Sequence, residues 1–286
     1  MRLVTYEATS GPCVGILDGD DIVDLMAIAP QLPDTMKAVI AAGLPQGIAE
    51  RVRGATGKVR TKRAAARLLL PIADPGKIVC VGLNYHDHAA ETGQAAPTFP
   101  PLFLRATTSL AGPDEPMVVP KVSEQLDFEA ELTIVIGRTC RHVSQEAALD
   151  YVFGYTCFNE GSVRDYQRKS TQWTGAKNFD RTGPLGPWIT TADEVPPGAD
   201  GLQVRTVLND EVMQDASTAG MIFKCAEIVA TISSIMTLEP GDLIPTGTPA
   251  GVGMGRKPPV WLKPGDTVTV SIEGIGDLTS RVVAEA

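Results

Sequence analysis

The chain has 286 residues, 43% of them apolar, and a formal charge of −9. It is long and apolar enough to bury a full core, either as one large domain or as a catalytic domain with a smaller companion. An acidic chain (pI ≈ 4.9) without basic runs interleaved with aromatics repels phosphate backbones, and no apolar stretch reaches bilayer length, which excludes nucleic acid and membrane as partners and predicts a soluble, cytoplasmic protein.

In residues 1–70, LVTYEA and GPCVGILDGDDIVDL read as strands around an Asp-Gly turn, and residues 35–42 and 61–69 carry short helical patterns. This predicts a small N-terminal α+β domain. The Pro/Gly break in PIADPG, followed by a strand over 77–81, opens a second domain covering 71–286. That domain is rich in short strands: MVVP, LTIVIG, LQVRTVLNDEVMQD with a hairpin turn at Asn209-Asp210, DLIPTG and TVTVSIEG. Two helices are predicted, one over 145–151 behind the cap candidate Ser144 and one over 220–238, stopping before Pro240-Gly241. With no internal repeat and no regular strand-helix alternation, the fold class is α+β with a β-rich core. Five dispersed cysteines without a CxxC pair imply reduced, buried thiols rather than disulfides or a zinc knuckle.

Chemistry is concentrated in a few stretches. GLNYHDHAAE, residues 82–91, holds His86 and His88, two of only three histidines, with Glu91 three places beyond the second. In LDFEAELTIVIG, residues 126–137, strand alternation puts Phe128, Ala130, Leu132 and Ile134 on one face and Glu129 and Glu131 on the other. On spacing alone a solvated face explains the two acids. If they line a cavity, two like charges that close raise a pKa or demand a cation, for which a hard, oxygen-preferring ion such as Mg²⁺ is suited. In YTCFNEGSVRDYQRKS, Glu160 follows an apolar run at a strand end, Arg164 and Asp165 read as a structural ion pair, and Gln167 reads as a surface residue. Lys177 in GAKNFD says nothing alone, although Trp173 nearby is a candidate for lining a pocket. TGTPAGVGMGRK lacks the ending of a phosphate loop, and no GxSxG motif supplies a nucleophilic serine.

Taken in order, NYxDHxxE, ExE in a strand, an acid before SVRDxQ, the lysine of AKNFD followed by PLGPW, and TGTPAGVG closely resemble the fumarylacetoacetate hydrolase family over about residues 75 to 284. The resemblance implies a β-rich mixed-sheet roll, usually a homodimer. It implies that Glu129, Glu131 and Glu160 hold a divalent metal, Mg²⁺ first with Mn²⁺ or Ca²⁺ as alternatives. His88 and Glu91 match the family's base pair, Lys177 its substrate-contacting lysine, and Gln167 and Thr248 its substrate-site positions. Two positions depart from the pattern: Glu160 stands where aspartate is commoner, and Leu83 where a basic residue is frequent.

The residue chemistry agrees with that resemblance. At i and i+3, His88 and Glu91 share one face of a short helix, putting a base in reach of an orienting carboxylate. The implied reaction is metal-dependent hydrolysis of a carbon-carbon bond in a β-diketone or 2,4-dioxo acid such as an acylpyruvate, in a catabolic setting. Decarboxylation or keto-enol isomerisation of a 2-oxo diacid needs the same parts without an attacking water, and a binding protein that has lost catalysis would need only the carboxylates.

Overall fold

The computed structural model describes all 286 residues. At its centre is the strand Ala130–Ile136, buried along its whole length. It pairs antiparallel with Val152–Asn159 on one side and Leu243–Pro245 on the other. The sheet then continues through Gly183–Thr191, Arg2–Ala8, Gly11–Asp18, Asp21–Asp24 and Arg60–Lys62, while Leu110–Ala111 joins Gly183–Thr191 in parallel. A second, five-stranded sheet runs in the order Glu211–Ser217, Gln203–Leu208, Thr267–Ile272, Gly276–Ala284, Met117–Val119, its last pair parallel. Mixed pairing in both sheets and short helices outside them make this the α+β, β-rich roll that the sequence predicts.

Alternation along the central strand sorts the core. Leu132 and Ile134 pack with Val204, Val270 and Ile272 of the second sheet. Val135, of opposite parity, joins Leu3, Ile16 and Ile189 in a separate cluster. Glu129 and Glu131 share the parity of Val135, so the face that carries them turns away from the second sheet. The hairpin falls at Asn209-Asp210, where both residues have positive φ (47° and 70°), as a two-residue turn matching the strand twist requires.

Three sequence expectations shift. Residues 61–69 are not helical: Arg60–Lys62 pairs with Asp21–Asp24, only Arg63–Ala65 makes a single tight turn, and the backbone beyond it bonds to the strand Arg2–Ala8. A sheet edge that satisfies these backbone groups, with Leu68 buried beneath Tyr6 and Ile22, outweighs a weak helical pattern. The helix over 145–151 shrinks to one 3₁₀ turn, Ala148–Tyr151. The helix over 220–238 spans Cys225–Ile235, burying Ile228, Val229 and Ile232, and ends because Leu238 returns to bridge Cys140. By contrast, the helix Met36–Ala42 forms as predicted, with Thr35 Oγ1 capping the N–H of Ala38.

All five cysteines are free and four are buried. No helix is long and apolar enough to cross a membrane.

Candidate active site

Two neighbouring strands bring the acids together. Glu129 and Glu131 stand at the start of the central strand, and Glu160 directly follows its neighbour Val152–Asn159. The N–H of Glu160 donates to the carbonyl of Glu129 at 2.9 Å, and the N–H of Glu129 to Asn159 Oδ1 at 3.0 Å, so the two acids are fixed in one register. One carboxylate oxygen from each of Glu129, Glu131 and Glu160 lies within 4.8 Å of the others. All three residues are buried.

Such a cluster is tolerable only if neutralised. Lys177, at the end of the helix Thr174–Lys177, places Nζ 2.5 Å from Glu129 Oε2 and 2.8 Å from Glu160 Oε2. Arg164 donates to Glu129 Oε1 at 2.6 Å, to Asp127 Oδ2 at 2.8 Å and to Gln167 Oε1 at 2.8 Å. Burial by itself raises the Glu129 carboxyl, but the charges of Lys177 and Arg164 outweigh it and hold Glu129 below the usual range. For Glu131 the balance falls the other way: burial first, then the charges of Glu160 and Glu129, outweigh Lys177 and push it well above the usual range. Lys177 goes the other way from an ordinary buried lysine, because Glu129 and Glu160 overcome its desolvation and raise it. It is a fixed cation rather than a base.

The fit to a metal rests on what remains unsatisfied. Glu160 Oε1 is buried without a hydrogen-bond partner, with Arg105 Nη1 3.8 Å away. An orphaned carboxylate oxygen among three converging acids is a donor set made only of oxygen, which suits Mg²⁺, Mn²⁺ or Ca²⁺.

His88 and Glu91 lie on the helix His86–Glu91, with His88 Nδ1 3.3 Å from Glu91 Oε2. Glu91 Oε1 accepts the N–H of Gly251 at 3.0 Å, so the glutamate is held from both sides. This leaves Nε2 as the free imidazole nitrogen. The helix is docked by Asn84, whose side chain donates to the carbonyls of Phe223 (3.0 Å) and Thr246 (2.7 Å) and accepts from the N–H of Phe223 (2.7 Å). Gly247 makes this approach feasible: its φ is +97°, and a Cβ there would come within 2.7 Å of Asn84 Cβ. Its N–H donates to Glu131 Oε2 at 2.9 Å, and the neighbouring Thr248 Oγ1 accepts from Gln214 Nε2 at 2.8 Å.

Of the eight residues singled out by sequence, His88, Lys177, Gln167, Thr248, Glu129, Glu131 and Glu160 line one cavity of ≈ 230 Å³, and Glu91 stands behind His88. Trp173 also lines it, edge-on to Phe103 with ring centroids 5.5 Å apart. His86 and His142 are exposed. Gln167, read as a surface residue from its neighbours alone, is half-buried at the cavity. The Arg164–Asp165 pair does not form: Asp165 Oδ1 accepts from Ser123 Oγ at 2.5 Å, and Arg164 turns inward. Sequence reasoning missed Asp127, whose carboxylate accepts from Arg164 and from the N–H groups of Gly253 (2.7 Å) and Met254 (2.9 Å). Its signal was available, because Asp127 has the parity of Glu129 and Glu131. Gln214 was missed without any such signal, since it reaches the site from the second sheet.

Comparison with known proteins gives this geometry a family. Residues 77–283 match the model of the fumarylacetoacetate (FAA) hydrolase C-terminal region, and the chain belongs to that family. It is 37% identical to the mitochondrial oxaloacetate tautomerase fahd2 of Xenopus laevis over 99% of this chain and 90% of that protein. Among solved structures it is similar to the fumarylacetoacetate hydrolase of Exiguobacterium antarcticum (TM-score 0.86, 36% identity, all of both chains covered). The maleylpyruvate hydrolase of Sphingobium sp. SYK-6, solved with manganese(II) and pyruvate, gives a TM-score of 0.83 at 34% identity, again over all of both chains. The named relatives are enzymes.

Proposed function

We propose that this protein is a metal-dependent hydrolase that cleaves a carbon-carbon bond in a 2,4-dioxo acid of the acylpyruvate type. The observation that carries the reading is that His88, backed by Glu91, lines the same cavity as the Glu129–Glu131–Glu160 cluster. A divalent ion held by the three carboxylates would polarise the substrate's oxygens and stabilise the charge that develops on them. His88, its ring fixed by Glu91 at Nδ1, takes a proton at Nε2 from a water whose oxygen adds to the distal carbonyl. The carbon-carbon bond then breaks with its electron pair passing to the enolate of the oxo acid, and the imidazolium returns the proton to the carbon of that enolate. Lys177 holds positive charge beside the reacting oxygens without exchanging its proton. Gln167 and Thr248 supply polar contacts to the substrate, and Trp173 and Phe103 give the cavity an apolar wall.

A second reading, keto-enol tautomerisation of a 2-oxo diacid, is favoured by the oxaloacetate tautomerase at 37% identity over nearly the whole chain. It uses His88 to move a carbon-bound proton and needs no water. Proton NMR of products from an acylpyruvate and from oxaloacetate, each with Mg²⁺ and with EDTA, separates the two. Metal-dependent pyruvate plus a carboxylic acid from the acylpyruvate supports the hydrolase. Accelerated enol-keto exchange of oxaloacetate with no cleavage of the acylpyruvate supports the tautomerase and ends the hydrolase reading.

A further inference from the structure

Residues 251–255 form a turn that holds Glu91 and Asp127 together. The N–H of Gly251 donates to Glu91 Oε1 at 3.0 Å, and the absence of a side chain on Gly255 leaves that carboxylate its place. Two residues further into the turn, the N–H of Gly253 donates to Asp127 Oδ1 at 2.7 Å and the N–H of Met254 to Asp127 Oδ2 at 2.9 Å. Gly253 is required for this contact, since a Cβ there would come within 2.6 Å of Asp127 Oδ1. Val260 and Arg256 hold the turn by its carbonyls, through the N–H of Val260 on Gly253 at 3.0 Å and Arg256 Nε on Gly251 at 3.4 Å.

Asp127 is wholly buried and accepts two further hydrogen bonds, from the N–H of Phe128 to Oδ1 and from Arg164 Nε to Oδ2, both at 2.8 Å. Arg164 in turn donates to Glu129 Oε1 at 2.6 Å. One carboxylate thus joins the acid cluster, through a single arginine, to the turn that holds Glu91. Asp127 does not line the cavity, so it acts on the site only through the groups it holds.

We propose that Asp127 is a positioning residue: by fixing the turn 251–255 it sets Glu91, and through Glu91 the tautomer and orientation of His88, in register with the acid cluster. The inference rests on the reading of His88 as the base and adds a residue to it. It holds for cleavage and tautomerisation alike, because both use the same imidazole nitrogen.

The test exploits the donors around Asp127. Asparagine has the same size but one acceptor oxygen, so in either amide orientation Asp127→Asn sets an NH₂ group against one N–H of the turn. The readout is the His88 tautomer, from long-range proton–nitrogen correlation spectra of the Mg²⁺-loaded protein at a pH where the ring is neutral, with His88→Gln identifying the signals. Wild type is expected to show the single Nδ1–H tautomer that Glu91 imposes. Asp127→Asn is expected to show averaged tautomers, as is Gly255→Ala, which displaces Glu91 directly. Because a buried substitution can unfold the chain, Met254→Pro makes the same test from the turn. It deletes one N–H that Asp127 accepts, at a position in the 3₁₀ turn Gly253–Gly255 that proline tolerates, and gives the same averaging. Met254→Ala keeps that N–H and keeps the single tautomer.

Turnover supplies a second readout. Asp127→Asn lowers kcat about tenfold, as loss of an orienting partner does. Combined with Gly255→Ala it costs no more than about twofold beyond Gly255→Ala alone, since both act through Glu91. A wild-type ring without a fixed tautomer, a fixed tautomer in Asp127→Asn or Met254→Pro, averaging in Met254→Ala, or multiplied losses in the double variant each overturn the positioning role. The tautomer is read without substrate: if neither an acylpyruvate nor oxaloacetate reacts, the proposed reactions fall while the spectra still decide the role of Asp127.

Discussion

Gly255 stands directly against Glu91: a Cβ on Gly255 would come within 2.3 Å of Glu91 Oε1. Gly255 needs no unusual φ, and the three atoms nearest an added Cβ all belong to Glu91. In Gly255→Ala the carboxylate swings off both His88 and the N–H of Gly251, because the end of a glutamate side chain yields more easily than backbone. We expect kcat to fall roughly tenfold or more while Tm moves by only a few degrees. A large Tm loss with unchanged kcat per folded molecule would show Gly255 to be a packing residue.

His88→Gln tests the base itself. Loss of a general base costs on the order of 10²-fold or more in turnover. Metal binding, read by Mn²⁺ electron paramagnetic resonance, survives, because His88 is not among the three converging carboxylates. Unchanged turnover would remove His88 from the mechanism.

Lys177→Met separates charge stabilisation from metal binding. Turnover drops by roughly 10²-fold or more as the cation beside the developing charge disappears. The metal-free variant loses about 3–5 kcal/mol of stability, the cost of leaving buried carboxylates unpaired. Divalent ion then restores more Tm to the variant than to the wild type, because a competing positive charge has gone from Glu129 and Glu160. Loss of metal binding in this variant would contradict the arrangement.

Glu131 predicts a pH dependence of the metal-free protein. Its carboxyl is raised in the folded state, so the folded chain keeps a proton that the unfolded chain has released. The stabilising contribution is complete below the ordinary carboxylate pKa and is lost as pH climbs toward the raised value. Glu129, shifted downward, acts only on the acid side of that window. From about pH 5 to about pH 8, metal-free wild type should therefore lose Tm relative to Glu131→Gln, and saturating Mg²⁺ should suppress the loss in the wild type. Parallel pH profiles for the two proteins would refute the shift.

Much of the site was legible because its signals are local. Alternation in LDFEAELTIVIG put Glu129 and Glu131 on one face, and three-residue spacing put His88 over Glu91; both follow from strand and helix geometry with no knowledge of the partner elements. What brings the two groups to one cavity is tertiary. Asn84 reaches Phe223 and Thr246, and Gln214 reaches Thr248, across separations that no spacing rule covers. Arg164 misled for the same reason: its adjacent acid, Asp165, is taken by Ser123, while the acids it serves precede it by 35 and 37 residues. Residues 61–69 misled because an available sheet edge, invisible locally, decided their conformation.

The antiparallel pairing of Arg2 and Leu3 with Thr190 and Ile189 gives the first seventy residues a protective office. Gly183–Thr191 is buried almost throughout, and without the strand Arg2–Ala8 its end at Ile189–Thr191 would become an apolar edge with open backbone donors and acceptors. Such an edge recruits other chains by strand addition. A truncation beginning at residue 71 would keep every acid of the cavity and still fail in solution, by self-association rather than by loss of chemistry.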